Sequence, residues 1–185
     1  MWPWGHLAVG YLLYSAFVHL RDRRAPDGFT AIALAFGTQF PDLVDKPLAW
    51  SLGVLPNGRS LTHSLLTAVL VVAVVGLVAR RRGDGPIGTA FAIGYLSHLG
   101  GDALYPALSG DLYALSFLAY PLAPPIEYET APSFSAHLQH LSLNSLLTFE
   151  FALGLGVFAL WVVDGAPGLG VVSAIPKWFD RKFSA

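Results

Sequence analysis

A chain of 185 residues that is 54% hydrophobic and only 12% charged is too poor in charge for an ordinary soluble domain, which carries roughly a quarter. A net charge of −1 with no long basic tract argues against a nucleic-acid partner. The absence of cysteine removes disulfides and thiolates, so a metal would have to be held by His, Asp, Glu or backbone oxygen.

The apolar runs predict an all-α protein: one integral membrane domain over 1–185, a multipass transmembrane bundle of about five membrane helices. A spanning helix needs about 20 apolar residues. The first two runs, near 5–20 and 29–41, are short and reach that length only with their flanks. A third helix is expected near 62–80, where Ser64 to Ala79 holds no charge in 16 residues. A fourth, near 87–105, is interrupted by His98 and Asp102, and a fifth, near 144–163, by Glu150. Between the last two, an outer loop over 106–143 is rich in Pro and aromatics and reads as interfacial cover for a site. Residues 174–183 (AIPKWFDRKF) read as a basic amphipathic tail. A cleaved signal peptide is disfavoured, because Arg21, Arg23 and Arg24 follow the first run instead of preceding it.

The same basic residues set an orientation. Arg21, Arg23, Arg24, Arg80, Arg81, Arg82, Lys177, Arg181 and Lys182 fall on one side of a five-helix thread, nine of the eleven Lys and Arg residues. By the positive-inside rule that side is cytoplasmic, in a plasma membrane. Trp2, Trp4, Trp50 and Trp161 lie near helix ends and fit either aromatic anchoring or core packing.

Ionisable residues within membrane segments are costly and point to function. His6, Asp42, His63, His98 and Asp102 lie 14 to 18 residues from the charged residues at the inner ends of their helices. At about 1.5 Å per residue they share a level roughly 21–27 Å from the inner boundary, near the extracytoplasmic face. His98 and Asp102 stand at i and i+4 and project from one helix face. Such a pair, taken singly, is also what a plain hydrogen bond looks like. Asp42 and Asp45 share a face if their turn is helical, and Pro41-Asp42 alone could be a turn or cap. Ser60 or Thr62 is the expected N-cap of the third helix.

Together these five residues form a candidate metal site for one or two divalent ions, Zn or Mn before others. The carboxylates have few cations near them, only Lys46 and Arg59 on the outer side. The expected chemistry is hydrolysis, with metal-activated water attacking an ester or phosphoester. Membrane lipid or another amphiphile is the expected substrate. Asp45, Arg59 and Glu150 are the candidate catalytic residues, Arg59 as an anion clamp and Glu150 as a base or ligand. His137 and His140 could add ligands but read better as surface residues, and His19 is assigned no role. The alternative is a non-catalytic membrane protein with a structural metal site, or a metal transporter.

GHLAVG at His6, PDLVDKP at 41–47, GRSLTHSLL at 58–66 and GYLSHLGGDALY at 94–105 resemble, in that order, the membrane-bound metal-dependent hydrolase family that includes LexA-regulated, YdjM-like inner-membrane proteins. The resemblance implies a multipass α-helical hydrolase with metal ligands at His6, Asp42, His63, His98 and Asp102. The chain departs from the family's pattern after the second helix. There the family often reads PDxD followed by His, and here Asp45 stands one place later with no His beside it.

Overall fold

The computed structural model describes residues 1–127 and 145–173. Those residues form five long α-helices and no strand: α1 Pro3–Asp22, α2 Gly28–Lys46, α3 Leu65–Arg81, α4 Gly85–Ser109 and α5 Ser145–Val163, with a further helical turn at 169–173. The helix ends follow local chemistry. Pro3 opens α1 where its missing N–H costs nothing, and Arg23 closes it in a left-handed conformation, φ 52°. The Asp27 side chain caps α2 by accepting from the N–H groups of Phe29 and Thr30. Burial works against the Asp27 charge, but the donors of Thr30 and Phe29 outweigh it and hold the carboxyl below the usual carboxylate range.

α2 does not stop at Pro41. It runs to Lys46 and continues into a π-helical turn, Pro47–Ser51, so Asp42 and Asp45 do lie on one helical face. The expected N-cap of α3 is corrected. Ser64 caps the helix through Leu66 N–H, while Ser60 and Thr62 are turned to other work described below. α4 continues past Tyr105 through Pro106 to Ser109, where Gly110 ends it at φ 72°. The tail at 174–183, the outer loop from 128 to 143, and His137 and His140 within it lie outside the described residues.

α4 is central, packed against α1, α2 and α3, while α5 packs against α1. Two apolar clusters fill the bundle. Tyr11, Tyr14, Val18, Leu34, Ala90 and Val157 join α1, α2, α4 and α5. Ala68, Phe91, Tyr95 and Leu99 join α3 to α4, with Phe40 packed against them. Glycines bring α2 and α4 to backbone contact: a Cβ on Gly94 would press into Leu34 O, and one on Gly37 into Phe91 O. His98 stands one turn beyond Gly94 on the same face, so this close approach sets how near it comes to α2.

Among the described residues no helix is long and apolar enough to cross a membrane. α3 has 17 residues, and α1, α2 and α4 carry the ionisable and small residues that build the interior. The outer faces are a different matter. Leu66, Val69, Leu70, Val74 and Leu77 of α3 are exposed, as are Phe149, Leu155, Phe158 and Val163 of α5.

Candidate metal centre

The imidazoles of His6, His63 and His98 meet in the interior, each no more than 1% exposed. His98 comes from α4, and its Nδ1 lies 2.6 Å from Thr38 O of α2. The Thr38 carbonyl is a hydrogen-bond acceptor, so Nδ1 carries the proton and Nε2 presents a lone pair. Pro41 lacks the N–H that would close onto Gly37 O, which loosens α2 at the turn where His98 docks.

His63 ends the loop between α2 and α3, and that loop is folded around Asp45. The Asp45 carboxylate is fully buried and accepts from Ser60 N at 2.9 Å, Thr62 N at 2.9 Å and Thr62 Oγ1 at 2.8 Å. Its Oδ2 lies 2.8 Å from His63 Nδ1. Facing a carboxylate, Nδ1 is again the protonated nitrogen, and Nε2 of His63 is left with its lone pair. Asn57 ties down the start of the loop, accepting from Arg59 N at 2.8 Å and donating to Ile126 O at 2.8 Å. Tyr95 fixes its end by donating to Thr62 O at 2.6 Å.

The two lone pairs then face each other, with His63 Nε2 and His98 Nε2 3.1 Å apart. Two acceptors at that distance in a buried site call for a cation or a proton between them. Nitrogen ligands sit about 2.0–2.1 Å from Zn, so a pair 3.1 Å apart fits one ion. Asp42 Oδ1 lies 3.5 Å from His63 Nε2 and 3.9 Å from His98 Nε2. Asp102 Oδ2 lies 3.7 and 3.8 Å from the same two nitrogens. The donor atoms form two overlapping triads able to hold an ion, His6, His98 and Asp102, and Asp42, His63 and His98. His6 stacks on His98 with ring centroids 3.7 Å apart, its Nε2 is 3.3 Å from Asp102 Oδ1, and its buried Nδ1 has no hydrogen-bond partner.

The argument that the carboxylates lack cations is corrected. Lys46 Nζ lies 2.7 Å from Asp42 Oδ2. Arg59 grips Asp102 through Nε at 2.9 Å and Nη2 at 3.1 Å, and the Met1 ammonium is 2.9 Å from Oδ1. The facing imidazole nitrogens, more than the carboxylates, speak for a metal.

The three candidate catalytic residues fall in different places. Asp45 sits behind His63 with its oxygens filled by donors, so it orients the ring. Arg59 is on Asp102, at the edge of the cluster. Glu150 is buried in α5 beside Gly5, the residue before His6; one oxygen accepts from Trp2 N at 3.0 Å and the other has no hydrogen-bond partner. Sequence reasoning missed Thr38 and the pairing of Lys46 with Asp42. Thr38 acts through its backbone, which no residue type signals. The i,i+4 spacing of Asp42 and Lys46 did carry a signal.

An all-helical bundle with a buried imidazole–carboxylate cluster at one end defines the class of protein. The chain belongs to the YdjM inner membrane protein family, whose model matches residues 1–175. No curated protein and no solved structure matches the chain.

Proposed function

We propose that the protein is a membrane-embedded, metal-dependent hydrolase acting on an ester or phosphoester of a lipid or amphiphile. The observation that carries this reading is the 3.1 Å approach of His63 Nε2 and His98 Nε2, with both Nδ1 atoms already committed to acceptors. His6, Asp42, His63, His98 and Asp102 would hold one or two ions of the Zn or Mn type. Bound there, such an ion polarises an ester oxygen and makes hydroxide available near neutral pH. Asp45 holds the His63 ring in one tautomer, as partners behind a ligating imidazole commonly do. Glu150, buried with its Oε2 beside Gly5 and its Oε1 without a hydrogen-bond partner, is the candidate proton acceptor.

Membrane embedding in several passes is part of the proposal. Family membership supports it, and so do the exposed apolar faces of α3 and α5, too large for a chain surrounded by water. His6, Asp45, His63, His98 and Asp102 are buried, so the outward face of the bundle is more apolar than its helices taken whole. The cytoplasmic side is the one bearing Arg21, Arg23, Arg24 and Arg80 to Arg82. The chain has no cysteine, so Arg81→Cys and Leu122→Cys supply single thiols. An impermeant reagent applied from outside should label only Leu122→Cys; the reverse pattern would invert the orientation.

The test of function is elemental analysis of purified protein beside His63→Ala and Asp102→Ala, with hydrolysis followed over a panel of lipids and phosphoesters. Stoichiometric metal lost in both variants together with activity supports the hydrolase. Full loading with no turnover across the panel would sink it. A structural metal is the second reading, favoured by the near-complete burial of the three imidazoles. Under that reading chelation unfolds the bundle, whereas the hydrolase reading expects a folded, inactive protein.

A further inference from the structure

The cluster is walled by protein on its imidazole side and bordered by two cations on the other. The three imidazoles are 0–1% exposed, whereas the side chains of Lys46 and Arg59 are 15% and 34% exposed. Each cation is attached to a carboxylate that also faces inward. Asp42 turns Oδ1 to the imidazoles and Oδ2 to Lys46. Asp102 keeps Oδ2 within 3.8 Å of both His63 and His98 while Arg59 holds it from outside. Lys46 Nζ also sits 5.5 Å over the Trp50 ring, which confines it to this border. The ammonium and the guanidinium are thus held in place at the more exposed border of the cluster.

The charges decide what that group is. With neutral imidazoles, Asp42, Asp45 and Asp102 are set against Lys46, Arg59 and the Met1 ammonium, and the cluster is neutral. A divalent cation leaves it two positive charges in excess, or one if the ammonium is left out or the Glu150 carboxylate beside Gly5 is counted in. Uncompensated charge in a buried site is costly, so metal loading creates a demand for an anion.

Resting on the hydrolase reading, we propose that the substrate group is an anionic phosphate received between Lys46 and Arg59, and that its affinity is coupled to the metal. Lys46 thereby becomes a specificity-determining residue. Coupling between two ligands is reciprocal, so phosphate should tighten metal binding by the same factor.

The experiment is calorimetric titration of inorganic phosphate into the purified full chain in detergent, metal-free and Zn-loaded, with wild type, Lys46→Gln and Arg59→Gln. The expected result is at least about tenfold tighter binding to the loaded protein. In the loaded state each variant should weaken binding by about tenfold or more, with metal content retained in Lys46→Gln. If Arg59→Gln fails to fold because Asp102 loses a partner, Arg59→Lys keeps the charge without the fork and should bind with intermediate affinity. Equal affinity with and without metal, indifference to both substitutions, or no phosphate binding at all would overturn the proposal. A parallel titration with dihexanoyl phosphatidic acid separates the sources: tighter binding than inorganic phosphate marks a lipid headgroup, equal binding a free phosphate. Phosphate binding without hydrolysis of any substrate would remove the hydrolase reading and leave the anion site. Hydrolysis of neutral esters without phosphate binding would do the opposite.

Discussion

α1 carries a polar cluster at each end, and both are built from imidazole and carboxylate. Around His6 the ligand atoms of three histidines and two aspartates crowd together. Thirteen residues on, His19 joins Tyr11 and Ser15 in gripping Asp164, just past the end of α5. The tyrosine and serine hydroxyls each donate to Asp164 Oδ2 at 2.8 Å. His19 Nδ1 faces Ser15 O at 2.9 Å and its Nε2 faces Asp164 Oδ1 at 3.4 Å, so this ring meets acceptors on both sides. Here the carboxylate receives two hydroxyl donors, and the imidazole faces oxygens, with no second imidazole nitrogen opposite it. At the His6 end, acceptors meet acceptors across 3.1 Å. The same residue types thus make a helix tie in one place and an ion site in the other. What separates them is where each ring's second nitrogen points.

If that difference is real, substitutions at the two ends must act on different observables. The largest effect is expected from His98→Ala. His98 belongs to both triads, so its loss should remove metal altogether, read by elemental analysis of folded protein. Metal retained at full stoichiometry would mean that His98 is not a ligand and that its approach to His63 is a hydrogen bond, as at the other end of the helix.

Asp45→Asn comes next. It keeps the shape but replaces the carboxylate behind His63 with an amide that can turn its NH₂ toward Nδ1 and disturb the tautomer. Partners of this kind are worth about 10–100-fold in metal affinity. A competitive chelator titration measures it. An unchanged affinity would show that His63 is not a ligand.

These two residues also show how much was legible beforehand. His98 is legible only in combination: HxxxD taken singly is also what a hydrogen-bonded pair looks like, and the signal lies in its sharing a level with His6, Asp42 and His63. The shared depth of His6, Asp42, His63 and His98 followed from helical rise alone, and the four do converge. Asp45 was singled out, but as a catalytic group. Its contacts with Ser60, Thr62 and His63 depend on how the 52–64 loop folds back onto α2, and loop paths leave no periodic trace. The N-cap of α3 was misplaced for a related reason. Ser60, Thr62 and Ser64 are all chemically suited to capping, but the Ser60 hydroxyl donates to Asn57 O and the Thr62 hydroxyl to Asp45, which leaves Ser64. His19 was passed over because its partner Asp164 lies 145 residues away and just beyond an apolar run, where a solvated carboxylate would be the ordinary expectation.

At the other end of α1, Tyr11→Phe should leave metal content untouched. It removes one of two hydroxyl donors from a carboxylate whose side chain is 2% exposed. A hydrogen bond to a charged group is worth about 1.5–3 kcal/mol, and the lower figure applies while Ser15 still donates. Thermal unfolding in detergent should register the loss, with elemental analysis unchanged. Destabilisation accompanied by metal loss would mean that the two ends of α1 are one system.

His19→Gln is the smallest perturbation. The His19 side chain is 46% exposed, its contact with Asp164 is 3.4 Å, and the hydroxyls of Tyr11 and Ser15 remain on the other oxygen. Exposed ion pairs contribute less than about 1 kcal/mol, and glutamine retains a donor that reaches the same carboxylate. The expected outcome is a barely shifted unfolding curve and unaltered metal and phosphate binding. A loss as large as that of Tyr11→Phe would show that Asp164 depends on His19 for its charge balance. The lower cluster would then be an electrostatic site in its own right, closer in kind to the cluster around His6 than its hydrogen bonds suggest.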